Sequence, residues 1–442
     1  MSTQGQKWKA GSELLQLFQI VGRASLAYDI QDSHCGNMAV RHVNDRGEDE
    51  IVITASGSQK GELDPNQLCF LSPAGTDYGY YKASSETDIH ARILSLPGVR
   101  ASFHAHIKEL TVVTLDDAPK PGQPSPFCPV DPLGYYHLGS HIPVDWFAVP
   151  SGSPEMTKII PERLAEHPLT IVFGHGSFAK GSTLQEAFFR LCVGNNAGAV
   201  VRNMDRWHVN VEALRRRIAA DPTACFTYPP PAYSTGDDTR CDFPEEEEIH
   251  LEFIKACHRI FESRLSPFHT GSTSVRGVDT ILYAPKASMP REIGGPLLRL
   301  PLKSNRNDDA ELRTHKAIYA ASDFQTIIHC HVPEAEAAAY FIYPGESEPS
   351  DKIIPIDAEG SFLYLVIPIL PARFAWEEFI RLLHDYKMVV VRGGGVWAVG
   401  GQSLSEALHH PSTLREICIY RLAASERGLD LRKMEPEKAK RW

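Results

Sequence analysis

The sequence predicts two tandem α/β domains, each a mixed layer of amphipathic helices and short apolar strands. Three observations predict this. The chain has 442 residues, too many for one typical core and suited to two domains of about 200 residues. Its second half repeats the order of motifs in its first. Helical periodicity alternates throughout with short β-branched runs.

The repeat is plainest around two glutamates. SSETDIHARIL surrounds Glu86 and leads to FHAHI at 103–107; DAELRTHKAIY surrounds Glu311 and leads to IHCHV at 328–332. Eighteen positions separate Glu86 from His104, and eighteen separate Glu311 from His329. Each glutamate has a histidine four residues later, His90 and His315. Further out, CGNMAVR at 35–41 answers TGSTSVR at 270–276, and GHGSFAKGSTLQEAF answers GGGVWAVGGQSLSEAL. Four blocks in one order mark a duplication.

Each half opens on a helix. Leu14, Phe18, Val21 and Tyr28 share one face, with Ser12 placed to cap the start. Ile249, Phe253 and Ile260 do the same in the second half, where Glu245 to Glu248 follow Pro244 and suit a positive helix N-terminus. The runs IVIT at 51–54, TIVF at 170–173, TIIH at 326–329 and MVVV at 388–391 read as strands. YPPPAYSTGDDTRCDFP, rich in proline and polar residues, reads as a linker over 228–244. The domains are therefore expected at 1–227 and 245–442.

Composition narrows the function. Hydrophobic residues make up 43% and the net charge is −10, with a pI near 6.0. That balance disfavours nucleic acid or an anionic membrane as partner. No apolar run reaches the roughly 18 residues of a membrane helix, and the N-terminus lacks the apolar core of a signal peptide. The nine scattered cysteines, without a Cys-x-x-Cys pair, read as reduced thiols. A cytoplasmic protein is expected.

His104 and His106 stand two apart in VRASFHAH, a predicted strand whose alternate side chains share a face, so both imidazoles reach one ion. His175 follows the strand TIVFG in a glycine turn. Three histidines leave a fourth position open for substrate oxygen, as a catalytic zinc requires. Glu86 offers a carboxylate as base or transient ligand. Before these ligands lie Gly36-Asn37, Ser56-Gly57 and Ser84-Ser85; the last pair opens a helix whose buried face carries Ile89 and Ile93. Hydroxyls and free N–H groups of this kind suit an anion. In the second half Gly394 replaces His175, Ser272 replaces Asn37, and Asp309-Ala310 replaces Ser84-Ser85. Two histidines alone do not hold zinc tightly, and an added carboxylate repels an anion. That half is expected to be metal-free or weakly binding.

Together these segments resemble the class II aldolase and adducin head family. Its GN-x-S, T-x-S-G, S-S-E, His-x-His and His-Gly segments are met by Gly36-Asn37, residues 54–57, Ser84-Ser85-Glu86, His104-x-His106 and His175-Gly176, with Ala39 in place of the first serine. The resemblance spans 12–205 and, more weakly, 247–425. The first half resembles the family's fuculose-1-phosphate aldolase-type enzymes, and the second a non-catalytic member. It implies a central, mainly antiparallel sheet flanked by helices, and a homo-oligomer with active sites at subunit borders. It also implies zinc on His104, His106 and His175, with Mn2+, Co2+ or Fe2+ as alternatives, and Glu86 as acid/base. Gly36, Asn37, Ser56, Gly57, Ser84 and Ser85 would hold a small anionic substrate, a sugar phosphate or hydroxy-keto acid. The expected reaction is retro-aldol C–C cleavage through a zinc-stabilised enediolate. Decarboxylation, dehydration, epimerisation and a non-catalytic scaffold remain open. An acid for the leaving oxygen is sought in GYYHLGSH, where Tyr136 stands with Tyr135, His137 and His141.

Overall fold

A computed structural model of the chain describes residues 11–32, 34–72, 75, 77, 79–116, 118–227, 247–267, 271–284 and 297–439. They fall into two compact units: residues up to 128 with 137–198, and residues 129–136 with 199 onward. The expected linker at 228–244 lies outside the described residues, as do Pro244 to Glu246.

The first unit is built on β1 (Asn37–Val43), β2 (Asp49–Thr54), β3 (Leu68–Leu71), β4 (Ala101–Ala105), β5 (Ser125–Phe127), β6 (Ile142–Asp145), β7 (Leu169–Val172) and β8 (Gly176–Gly181). They form one sheet in the order β3-β2-β1-β4-β8-β7-β6-β5. Every neighbouring pair is antiparallel except β6 and β7. The helices Thr87–Leu94 and Pro154–Glu166 cover one face, where Ile89, Ile93, Met156, Ile160 and Leu164 pack with Ile53, Val172 and Phe178. Each such side chain stabilises the fold by roughly 1.5–3 kcal/mol through burial.

The second unit repeats the plan. Its strands are β9 (Ser272–Arg276), β10 (Thr280–Ala284), β11 (Leu298–Pro301), β12 (Thr326–Cys330), β13 (Lys352–Ile353), β14 (Ile367–Leu370), β15 (Met388–Val391) and β16 (Gly395–Gly400). Their order is β11-β10-β9-β12-β16-β15-β14-β13, and again one pair, β14 and β15, is parallel. Phe379, Leu382 and Leu383 of the helix Trp376–Tyr386 close its core against Ile327, Val389 and Trp397. The duplication is thus one of topology, strand for strand, and the expected mainly antiparallel sheets are present in both halves.

One local expectation fails. Ser12 is the first residue inside the helix Ser12–Ala27, whose cap position is Gly11, and no side chain caps it. Its backbone is already helical, which leaves no hydroxyl in the cap position. No helix among the described residues is long and apolar enough to cross a membrane.

Candidate metal centre and its degenerate copy

The histidine site grows out of the β1–β4–β8 core of the first sheet. His104 is in β4, and His106 lies just past its end, keeping the two-residue spacing that turns both rings to one side. β8 runs antiparallel beside β4, and the turn before it carries His175. Gly176 lets the two segments meet: a Cβ there would fall 2.7 Å from the Ala105 carbonyl oxygen and 3.2 Å from His104 Cε1. The ring centroids of His104, His106 and His175 stand 4.6–5.1 Å apart, and their ligand nitrogens all lie within 4.8 Å of one another.

The rings are held in orientation. His104 stacks on Phe178, and its Nδ1 donates to the Ser177 carbonyl at 3.0 Å, leaving Nε2 for the cluster. His104 Nε2, His175 Nδ1 and Glu86 Oε1 are buried with no hydrogen-bond partner. Orphaned acceptors converging on one point fit a cation. Burial, then the neighbouring imidazoles, hold His104 well below the usual histidine range; burial also lowers His106 and His175. Neutral imidazoles are what a metal binds. The residues present therefore fit a divalent ion.

Glu86 stands at the start of the helix Thr87–Leu94, with Oε2 3.6 Å from His104 Nε2. Asn37, paired with His104 across β1 and β4, donates from Nδ2 to Glu86 Oε2 at 2.8 Å. Asn37 Oδ1 bonds His90 Nε2, and His90 Nδ1 bonds Ser102 Oγ at 2.5 Å. Burial pushes His90 down to about 3, so it stays neutral. This chain of buried groups fixes the carboxylate. Only the repeated i+4 histidine signalled it in the sequence; Ser102 carried no signal.

The segments expected to take an anion are close neighbours, though differently occupied. Gly36 has φ +75°, and a Cβ there would collide with the His104 carbonyl oxygen, so its need for glycine is structural. Ser56 and Gly57 are exposed, and the Ser56 N–H donates to the Lys82 carbonyl, which ties their turn to the segment leading into Ser84. Ser85 is exposed, whereas Ser84 is buried and its Oγ accepts from the Glu86 N–H at 3.3 Å. Lys60, which sequence reasoning missed, is buried; its Nζ donates to the His34 and Ser58 carbonyls at 2.7 Å, and burial lowers it to about 8. Tyr136 belongs to the other compact unit, where its ring packs 5.2 Å from Tyr135 and 5.8 Å from Phe226.

A family model described as the class II aldolase and adducin N-terminal domain matches residues 16–199 and again 251–422. The chain belongs to that family. This tandem class II aldolase-family protein is 28% identical over 159 residues to the 5-methylthioribulose-1-phosphate/5-deoxyribulose-1-phosphate aldolase of Rhodospirillum rubrum, covering 34% of this chain and 63% of the relative. It is 28% identical over 156 residues to the 3-oxo-tetronate 4-phosphate decarboxylase of Haemophilus influenzae, covering 34% and 69%. Among solved structures, the L-fuculose-1-phosphate aldolase of Thermus thermophilus is 25% identical, with a TM-score of 0.39 over 45% of this chain and 97% of that one.

The second family domain keeps the scaffold and rewires the site. His329 stacks on Trp397 as His104 does on Phe178. Its Nε2 bonds the Gly394 carbonyl at 2.7 Å and its Nδ1 bonds Glu311 Oε1 at 2.5 Å. His331 Nδ1 bonds Glu336 Oε1 at 2.6 Å. Ser272, in Asn37's place, bridges Glu311 to His315. Both nitrogens of His329 are thus engaged within the protein.

Asp131, in the same unit, is buried, with Oδ2 accepting from the Gly134 N–H at 2.8 Å. Burial and the Glu336 carboxylate push it up to about 7. A folded pKa above the unfolded value gives stability that is complete below about 4 and is lost as pH rises through 7. Asp131→Asn, which keeps the acceptor for Gly134, is therefore expected to raise the melting temperature by a few degrees at pH 8. The gain should shrink to less than half at pH 5 and vanish only below about pH 4, as differential scanning fluorimetry across this range would show.

Proposed function

We propose that the protein is a divalent-metal-dependent lyase that cleaves a C–C bond of a ketose phosphate or hydroxy-keto acid by retro-aldol chemistry. The observation that carries this reading is the buried Glu86 carboxylate 3.6 Å from His104 Nε2, beside three clustered histidines of which His104 and His175 each have a buried nitrogen without a hydrogen-bond partner. A divalent ion held by His104, His106 and His175 (zinc, or Mn2+, Co2+ or Fe2+) supplies Lewis-acid stabilisation to the carbanionic product of cleavage. Glu86 moves the proton at the carbon, aimed by Asn37 and His90. The turns carrying Gly36, Ser56-Gly57 and Ser84-Ser85 take the anionic end of the substrate, within the positive field of Lys60. The protein works as a homo-oligomer; its free thiols suit the reducing cytoplasm.

Decarboxylation is the second reading, favoured by one observation. A relative 28% identical over 156 residues is a 3-oxo-tetronate 4-phosphate decarboxylase, and loss of CO2 leaves no alkoxide for an acid to protonate.

The test is a screen of ketose phosphates and hydroxy-keto acids with metal-reconstituted protein, recording aldehyde and CO2 separately. Metal analysis of the same sample should give one ion per chain. Aldehyde release supports the retro-aldol reading and CO2 the second. No turnover together with no bound metal would leave a scaffold.

A further inference from the structure

One buried cation joins two of the turns at the candidate anion site. Lys60 opens the short 3-10 helix Lys60–Glu62 and is 1% exposed. The helix Ser12–Ala27 fixes its backbone from behind. A Cβ on Gly22 would fall 1.8 Å from the Lys60 carbonyl oxygen, and Gln19 Nε2 donates to the Leu63 carbonyl at 2.6 Å. Only glycine lets the two backbones come this close, so residue 60 is held in one place.

From there the side chain reaches two loops. Its Nζ donates to the carbonyl of His34, two residues before Gly36-Asn37, and to that of Ser58, just after Ser56-Gly57, both at 2.7 Å. Local bonds shape the first loop: Asp32 Oδ1 accepts from the His34 and Cys35 N–H groups at 2.9 and 2.7 Å, and Gln31 Nε2 donates to the Cys35 carbonyl at 2.5 Å. Ser58 shapes the second, its N–H and Oγ donating to the Ala55 carbonyl at 3.2 and 2.8 Å. These bonds order each loop by itself. Lys60 connects one loop to the other.

Two consequences follow for an anion. The His34 and Ser58 carbonyl oxygens are engaged with an ammonium instead of being presented to a ligand beside the exposed Ser56, Gly57 and Ser85. A full positive charge also lies beneath both loops. Burial lowers Lys60 to about 8, so it stays protonated at neutral pH, and His106, lowered chiefly by burial, also feels that charge. Burying an ammonium is costly, and methionine would fill the same length without that cost. What methionine lacks is the charge and the two donors.

We infer that Lys60 is a positioning residue that clamps the 34–37 and 56–58 loops into one anion cradle, so that without it a phosphate group binds weakly beside an intact histidine site. This rests on the reading of those turns as the anion site and adds how they are held in register.

The test is calorimetric titration of the intact, metal-loaded protein with inorganic phosphate. Wild type should bind it, and Lys60→Met should weaken binding by about tenfold or more with metal content unchanged. Hydrogen exchange should quicken at 34–37 and 56–58 in the variant and stay as in wild type over β4 and β8. With a phosphorylated substrate, KM should change more than kcat. Should Lys60→Met fail to fold, Lys60→Gln, which keeps an amide donor for one carbonyl, takes its place; unfolding of both overturns the clamp and makes Lys60 a core residue. Phosphate affinity or loop exchange that the variant leaves unaltered overturns the inference while the anion reading stands. Loss of metal together with affinity also overturns it, by placing the effect at the histidines. A wild type indifferent to millimolar phosphate removes the anion reading and this inference with it.

Discussion

Replacing His106 with alanine is expected to strip the protein of its bound ion and of turnover together. The histidine stands at the exit of β4, and its ring shares one centre with His104 and His175. Loss of one of three neutral donors leaves two, which is too few for tight retention. Affinity should fall by more than about a hundredfold, so dialysed His106→Ala should carry under a tenth of the metal that wild type keeps. Wild type should also melt several degrees lower after chelation, because an ion that binds the native state alone stabilises it, while the variant's melting should not respond. Metal analysis and calorimetry give both readouts. A fully active, metal-poor His106→Ala protein would end the metal reading.

Glu86→Gln tests a separate part of the site. The glutamine oxygen can still accept from Asn37 Nδ2, which is 2.8 Å from the carboxylate now, so the geometry should survive. What disappears is the ability to take and return a proton, a contribution on the order of 10²–10⁴ in rate. The expected result is a fall in kcat of about a thousandfold with metal content near one per chain and an ordinary KM. If Glu86→Gln lost its metal instead, the carboxylate would be a ligand. If it kept its rate, the proton would move through another group.

Much of this arrangement was legible before any coordinates. The repeated Glu-to-His spacing placed the two halves in register, and the structure gives both the same strand order. The i, i+2 histidines were legible because strand geometry is periodic and local. The third, His175, needed only a glycine turn after an apolar run. What was hidden depends on distant segments. Nothing local says that Ser102 would hold His90, or that Lys60 would lose nearly all its exposure between two backbone carbonyls. One contact of Asn37 was likewise hidden: strand pairing turns its amide onto Glu86, which its motif did not signal. Ser12 misled for a simpler reason, since a cap and a first helical residue differ by one position.

The shared strand order of the two halves also bears on how such a chain can change. A domain made as a separate polypeptide must keep its own concentration matched to its neighbour's, whereas a fused duplicate is supplied one for one by translation itself. The downstream copy could then lose donor atoms without any loss of supply. Its histidine rings are hydrogen-bonding members of a core, with both nitrogens of His329 engaged. Substitutions there are consequently constrained by volume and by polar pairing, and on the proposed metal reading those upstream are constrained by ligand chemistry as well. Two sheets of one topology thus accumulate differences under unequal rules.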